Sequence, residues 1–222
     1  MLTVLLGTLL AFSSVTKANE CQQTNKTCVQ VIVHSADGEP LADMVVYLEP
    51  LEGQVLSQSS KQIEIGQYQK SFAPYISVSQ SKSSVSFVNQ DDITHHIYSA
   101  GNKNKFAFKI RAGDTNSSIA FNQPAEIAMG CNIHDWMSGY LLVVETPYFG
   151  KTNVQGLAAF SLEKTGKYRI VVWHPQMQTA TSSIFVDKNI TEASTFTLAL
   201  NESLAKIPKQ QSEDDFDFLS DY

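Results

Sequence analysis

Arginine is almost missing from this chain of 222 residues; only Arg111 and Arg169 occur. With a formal net charge of −6, the sequence has no basic footprint, which excludes nucleic acid as a partner. Long apolar runs are equally scarce. The one candidate, "LTVLLGTLLAF" near the start, has 11 residues, well short of the roughly 20 that span a bilayer. Small residues Thr16 and Ala18 follow it at positions a signal peptidase reads, although no Lys or Arg precedes it. Residues 1–18 are therefore expected to be an export signal, leaving no membrane span after cleavage. Cysteine is limited to 3. Cys21 and Cys28 flank "CQQTNKTC" and are the expected disulfide in an oxidising compartment. Closing so short a loop contributes about 2.5 kcal/mol if chain entropy is the cause. That pairing leaves Cys131 alone, and an odd cysteine in an exported protein needs a reason.

Helical periodicity is lacking as well. Short stretches rich in β-branched and aromatic residues recur instead: "VQVIVHS", "MVVYLEP", "SVSFVNQ", "HIYSA", "KFAFKI", "SIAFN", "EIAMGC", "GYLLVVE", "AAFSL", "YRIVVWH", "SSIFVD" and "TFTLAL". Turn residues such as "ADGEP", "AGDTN" and "TGK" separate them, so the chain reads as all-β. Residues 29–58 supply two strands and residues 146–201 four, each too few to cover a core. They are expected to be halves of one smaller β-sandwich, with residues 59–145 inserted in it or packed against it. Residues 202–222 end in Glu213, Asp214, Asp215, Asp217 and Asp221, and are expected to be a solvated, disordered tail.

The chemistry concentrates in "CNIHDWM". Cys131, His134 and Met137 occupy positions 1, 4 and 7 of a short loop between two strands. Thiolate and imidazole are good copper ligands, and a thioether is a soft, weak one. "NQDDITHHIYS" offers a further imidazole from His95 or His96. Neighbouring side chains on a strand point to opposite faces, so only one of the two enters a site. His, Cys, His and a long axial Met form the donor set of blue-copper electron transfer. Structural zinc wants four strong ligands, which would require Asp135 in place of Met137. A nucleophilic Cys131 would need a separately oriented base, and His134 sits on the same tight loop, so no enzyme is expected. A copper carrier without redox duty usually draws on several Met or Cys; here there are 5 Met and no Met-rich run. That carrier, or an envelope binding module, is the alternative reading. His174 and Met177 repeat an H-x-x-M spacing without a nearby Cys and read as structural.

On these motifs, residues 59–145 resemble a cupredoxin of the plastocyanin and amicyanin type. Asn89 lies six residues before His95, Phe87 precedes it on an apolar strand, and the loop from Cys131 to Met137 has the short amicyanin length. "SFAP" resembles the segment that opens such domains. Through "GEPLADMVVYLEP", "NQDDITHHIYS", "CNIHDWMSGYLLVVETPYF" and "GKYRIVVWHP", residues 29–180 resemble the methylamine-utilisation-type cupredoxins. Their end segments form a transthyretin-like or carboxypeptidase-regulatory-like sandwich. The resemblance implies a Greek-key sandwich holding one type 1 copper ion on His95, Cys131 and His134, with Met137 axial. His96 takes a place where the family has Asn. Asn89 and the backbone near Cys131 would hold the loop from a second layer. His134 would be the exposed ligand, with Trp136 and Ile133 forming an apolar docking patch. Met129 points the same way as Cys131, as core filler or a second thioether. Asp135 stands where short-loop members have Pro, and would raise the basicity of His134. The implied role is a periplasmic or secreted one-electron carrier whose partner is a redox protein such as a c-type cytochrome or a dehydrogenase.

Overall fold

The computed structural model describes residue 21 and residues 25–58, 62–101 and 104–210. The expected export signal and the end of the acidic segment, residues 211–222, lie outside the described residues. Among the described residues every regular element is a β-strand. Two open the chain, β1 (Thr27–His34) and β2 (Val45–Pro50). The middle holds β3 (Ile63–Tyr68), β4 (Ser71–Ala73), β5 (Ile76–Gln80), β6 (Ser84–Asn89), β7 (His95–Ala100), β8 (Ala107–Ile110), β9 (Thr115–Ala120), β10 (Ala125–Cys131) and β11 (Ser138–Val144). The rest is β12 (Phe149–Lys151), β13 (Leu157–Leu162), β14 (Gly166–Trp173), β15 (Ser183–Ile190) and β16 (Ser194–Ala199). Among the described residues no helix is long and apolar enough to cross a membrane. Cys21 and Cys28 are disulfide-bonded, and Cys131 is free and buried.

The strands form four sheets, ordered β13-β1-β16, β12-β2-β14-β15, β5-β11-β10-β7-β8 and β4-β3-β6-β9. The first two close over one core. Val29, Val31 and Val33 of β1 alternate inward to meet Val46 and Leu48 of β2 and Tyr168, Ile170 and Val172 of β14. The last two enclose a second core, where Ile65, Val85 and Phe87 meet Ile97, Ile127, Met129, Cys131 and Leu141. Period-2 alternation thus sorts each strand's apolar side into one core.

Three strands break that alternation for a reason. β2, β11 and β14 each carry a continuous apolar run, and each is buried on both faces. Their second faces make a third core between the sandwiches. There Val45 and Trp173 pack on Ile76, Val78, Leu142 and Val144. The Trp173 indole donates to Glu126 Oε2 at 3.1 Å, and the Gln176 amide donates to the Tyr75 hydroxyl at 3.0 Å. The sheets therefore stack in four layers.

Several strands differ from the sequence reading. β3, β4 and β5 were not expected, because "IEIGQYQKSFAPYISVSQ" is rich in Gln and Ser and broken by a turn and a proline. "SFAP" therefore follows the strand that opens the second sandwich. The three-residue β12 raises the strands after residue 146 from four to five.

Trp173 is 2 % exposed and anchors the third core. Trp173→Ala is expected to cost about 3–5 kcal/mol. It should also uncouple the sandwiches, so that calorimetry shows two unfolding transitions where the native chain shows one.

Candidate metal centre

β10 and β11 form a hairpin whose last pair is Gly130 opposite Ser138, and residues 131–137 are its loop. The Met137 amide donates to the His134 carbonyl at 3.0 Å, which turns the loop back on itself. Glycine makes room for neighbouring side chains on both sides of it. A Cβ on Gly130 would sit 2.7 Å from the Tyr98 hydroxyl, and one on Gly139 would sit 2.9 Å from Phe72 Cβ. β7 pairs with β10 so that Cys131 faces Ile97, and the Asn132 amide continues the ladder to the His96 carbonyl at 2.9 Å. This register carries the start of β7 to the mouth of the loop.

Here three donors converge. Nδ1 of His95 and Nδ1 of His134 each lie 3.8 Å from Sγ of Cys131. One ligand atom from each of these residues lies within 4.8 Å of the others. All three residues are buried, His95 completely. Met137 is buried in the same apolar cluster as Cys131 and Met129. His96 turns the other way, with its Nδ1 3.2 Å from the Asn132 amide nitrogen.

The structure redraws several expected roles. His134 keeps only 7 % of its surface, because the Trp136 ring covers it at 5.3 Å. Trp136 is half-buried and its indole nitrogen is enclosed without a partner, so Ile133, 54 % exposed, is the open apolar side chain of the loop. Asp135 is exposed and lies outside the group of converging donors. Asn89 does not hold the Cys131 loop. Its amide donates to the carbonyls of Ile93 at 2.7 Å and Ile110 at 3.2 Å, and its Oδ1 accepts the Asp91 amide at 3.0 Å. It fixes the segment that leads into His95.

The residue missed in the sequence is Asp91. Its Oδ2 accepts Nε2–H of His95 at 2.8 Å, which leaves the Nδ1 lone pair facing Cys131. The carboxylate also accepts the amides of Gln69 at 2.6 Å and Lys70 at 2.9 Å. Both residues have positive φ, 53° and 57°, in the two-residue turn between β3 and β4. A left-handed non-glycine pair is strained, and here it aims two N–H groups at one carboxylate. Burial works to raise the Asp91 carboxyl; the Lys70 amide, the His95 ring and the Gln69 amide outweigh it and hold the group below the usual range. The spacing D-x-x-x-H was the available signal. Burial, then the neighbouring charges of His95 and Lys70, lower the His134 pKa, so that ring is held neutral.

Two imidazoles and a thiol in a dry cluster suit a soft-to-borderline transition metal, and a thioether such as that of Met137, buried in the same cluster, suits copper better than zinc. The donor set fits the copper ion implied by the sequence resemblance. Neither a protein-family model nor a curated protein matches the chain. Solved structures similar to part of it include a copper-containing nitrite reductase from Thermus scotoductus, at 22 % identity over 44 % of this chain with a TM-score of 0.36. The match spans 25 % of the nitrite reductase chain. A purple cupredoxin from Nitrosopumilus maritimus is 19 % identical over 36 % of this chain and 98 % of its own, with a TM-score of 0.33. A reduced amicyanin variant is 12 % identical over 44 % and 98 %, with a TM-score of 0.34.

His174 lies apart from this cluster. It is buried, its Nδ1 accepts the Gln176 amide at 3.1 Å, and burial pushes its pKa down to about 4. The unfolded chain binds that proton near the ordinary 6.5, so it takes up more protons than the native state between these values. Stability from this group is therefore whole above pH 6.5 and lost as pH falls toward 4, by about 3 kcal/mol. Denaturant titrations of native chain and His174→Gln across that window should show the steeper loss in the native chain.

Asp91→Ala should fold and lower copper affinity by about 10–100-fold, as removal of an outer partner of a ligating His does. Asp91→Asn, which keeps an acceptor, should recover part of the loss, and His96→Asn should lose nothing. Competition against a chromophoric chelator measures all three.

Proposed function

We propose that this chain is an exported type 1 copper protein that carries single electrons and is not itself an enzyme. The observation that supports this reading is the convergence of His95 Nδ1, Cys131 Sγ and His134 Nδ1 in the core of the second sandwich. These residues would hold copper, with Met137 as the weak fourth donor that sets the potential. Copper, when bound, supplies a one-electron couple between Cu(I) and Cu(II).

The protein's own contribution is to hold its donors still. Both ends of the loop are fixed by strands paired on either side. Asp91 orients the His95 ring, and Trp136 shields His134 from water. Ile133 presents an apolar contact beside the site, suited to the small, transient encounters of redox proteins. The partner is a c-type cytochrome or a dehydrogenase. The disulfide suits an oxidising compartment such as the periplasm. A copper-delivery role needs a donor set open to exchange, and burial of all three residues speaks against it.

Cu(II) added to the chain lacking residues 1–18 should produce an intense visible colour and a type 1 EPR signal. Cys131→Ser should abolish both, and Met137→Gln should retain the metal while shifting the potential. A colourless, zinc-loaded product would overturn the reading.

A further inference from the structure

At the exit of the metal loop one side chain does the work of a strand. Amides along a strand alternate between its two neighbours. On one side β11 pairs with β10 from Ser138 to Val143. On the other it meets β5 only from Tyr140 onward, where the Tyr140 amide donates to the Tyr75 carbonyl at 2.8 Å. The Ser138 amide points the same way two residues earlier, before β5 is alongside. Gln210 takes the missing place. Its Oε1 accepts the Ser138 amide at 3.1 Å, and its Nε2 donates to the Ser138 hydroxyl at 3.0 Å. The same Nε2 donates to the Pro208 carbonyl at 2.9 Å, which fixes the amide from behind.

Gln210 also joins the two sheets of the second sandwich. Its carbonyl accepts the Ser71 hydroxyl at 2.7 Å. Ser71 opens β4 of one sheet, and Ser138 opens β11 of the other. Ser71 follows the turn whose amides hold Asp91, and Ser138 follows Met137 directly. The glutamine thus ties the loop of Cys131 and His134 to the turn that orients His95. It arrives on a strap from the first sandwich. The Leu200 amide donates to the His34 carbonyl at 2.9 Å, and the Ala205 amide to the Gln176 carbonyl at 2.9 Å. Residues 201–210 form no strand or helix and are mostly exposed.

His95, Cys131, His134 and Met137 are all buried, so a metal ion reaching them requires the loop to lift. The loop's entry is bound into the ladder of β7 and β10 through Asn132. Its exit, on the side facing β5, depends on one side chain carried by an irregular strap. We propose that Gln210 is the positioning residue that latches the exit of the metal loop, and that release of the strap 201–210 governs how fast metal enters and leaves. This rests on the metal-site reading of the loop.

The native chain, Gln210→Ala and Gln210→Glu are compared in two measurements. In the metal-free proteins, amide hydrogen exchange at Ser138 should be at least about tenfold faster in Gln210→Ala, with Leu141 and Val143 unchanged. Gln210→Glu keeps an acceptor for the Ser138 amide and hydroxyl, and should recover most of the protection. In the copper-loaded proteins, release to a chelator should be about tenfold faster in Gln210→Ala and near native in Gln210→Glu. Unchanged Ser138 exchange in Gln210→Ala overturns the proposal, as does equal loss in the two variants. A uniform rise along β10 and β11 overturns it too, because Gln210 would then brace the whole sandwich. A native release rate in Gln210→Ala overturns the control of exchange. A native chain that stays colourless with Cu(II) defeats the copper reading instead, and the metal-free exchange still decides whether Gln210 holds the loop.

Discussion

Three polar donors share one dry corner of the second sandwich, and their burial dictates what surrounds them. Leaving a buried polar group without a partner costs about 1–3 kcal/mol. His95 meets this at its outer nitrogen through Asp91. Its inner nitrogen, the Cys131 sulfur and the His134 nitrogen face one another at 3.8 Å, the long end of any hydrogen bond to sulfur. Burial, then the neighbouring His95 and Lys70, lower the His134 pKa within this cluster. A shared soft cation would satisfy all three donors at once.

The constraint spreads outward through specific bonds. Asp91 needs two amides, and the turn at Gln69 and Lys70 adopts left-handed backbone to provide them. That turn is continuous with Ser71, which Gln210 holds, and Gln210 also holds Ser138 beyond Met137. The site therefore stands at the junction of three stretches distant in sequence, each fixed by main-chain hydrogen bonds. Asn89 works on the same segment from beneath, through Ile93 and Ile110.

Much of this was legible in the sequence. Alternation in "VQVIVHS" and "SVSFVNQ" predicts inward valines and Phe87, and the adjacency of His95 and His96 predicts that one turns in and one out. The loop motif names its own donors. Other features left no local trace. β3 to β5 gain their strand character from pairing with β6 and β11, not from composition. Asp91 reads as one acid of two in a polar loop until the β3–β4 turn is placed against it. The burial of His134 depends on the way the Trp136 ring folds back, which no spacing encodes. The continuous runs in "MVVYLEP", "GYLLVVE" and "YRIVVWH" announce burial on two faces, but not which sheet lies on the second.

That second face gives the first sandwich a physical relation to the site. β11 leaves the loop at Ser138 and runs at once between two cores, with Leu141 and Val143 on one side and Leu142 and Val144 on the other. A strand packed on both faces cannot shift without disturbing both, because interiors are close-packed and tolerate little displacement. In an isolated second sandwich that face of β11 would meet water and the loop's exit would be free to breathe. The sheet carrying β2 and β14 removes that freedom through Trp173 and Val45. A backing sheet behind the strand that anchors the loop supplies rigidity that the loop's seven residues lack.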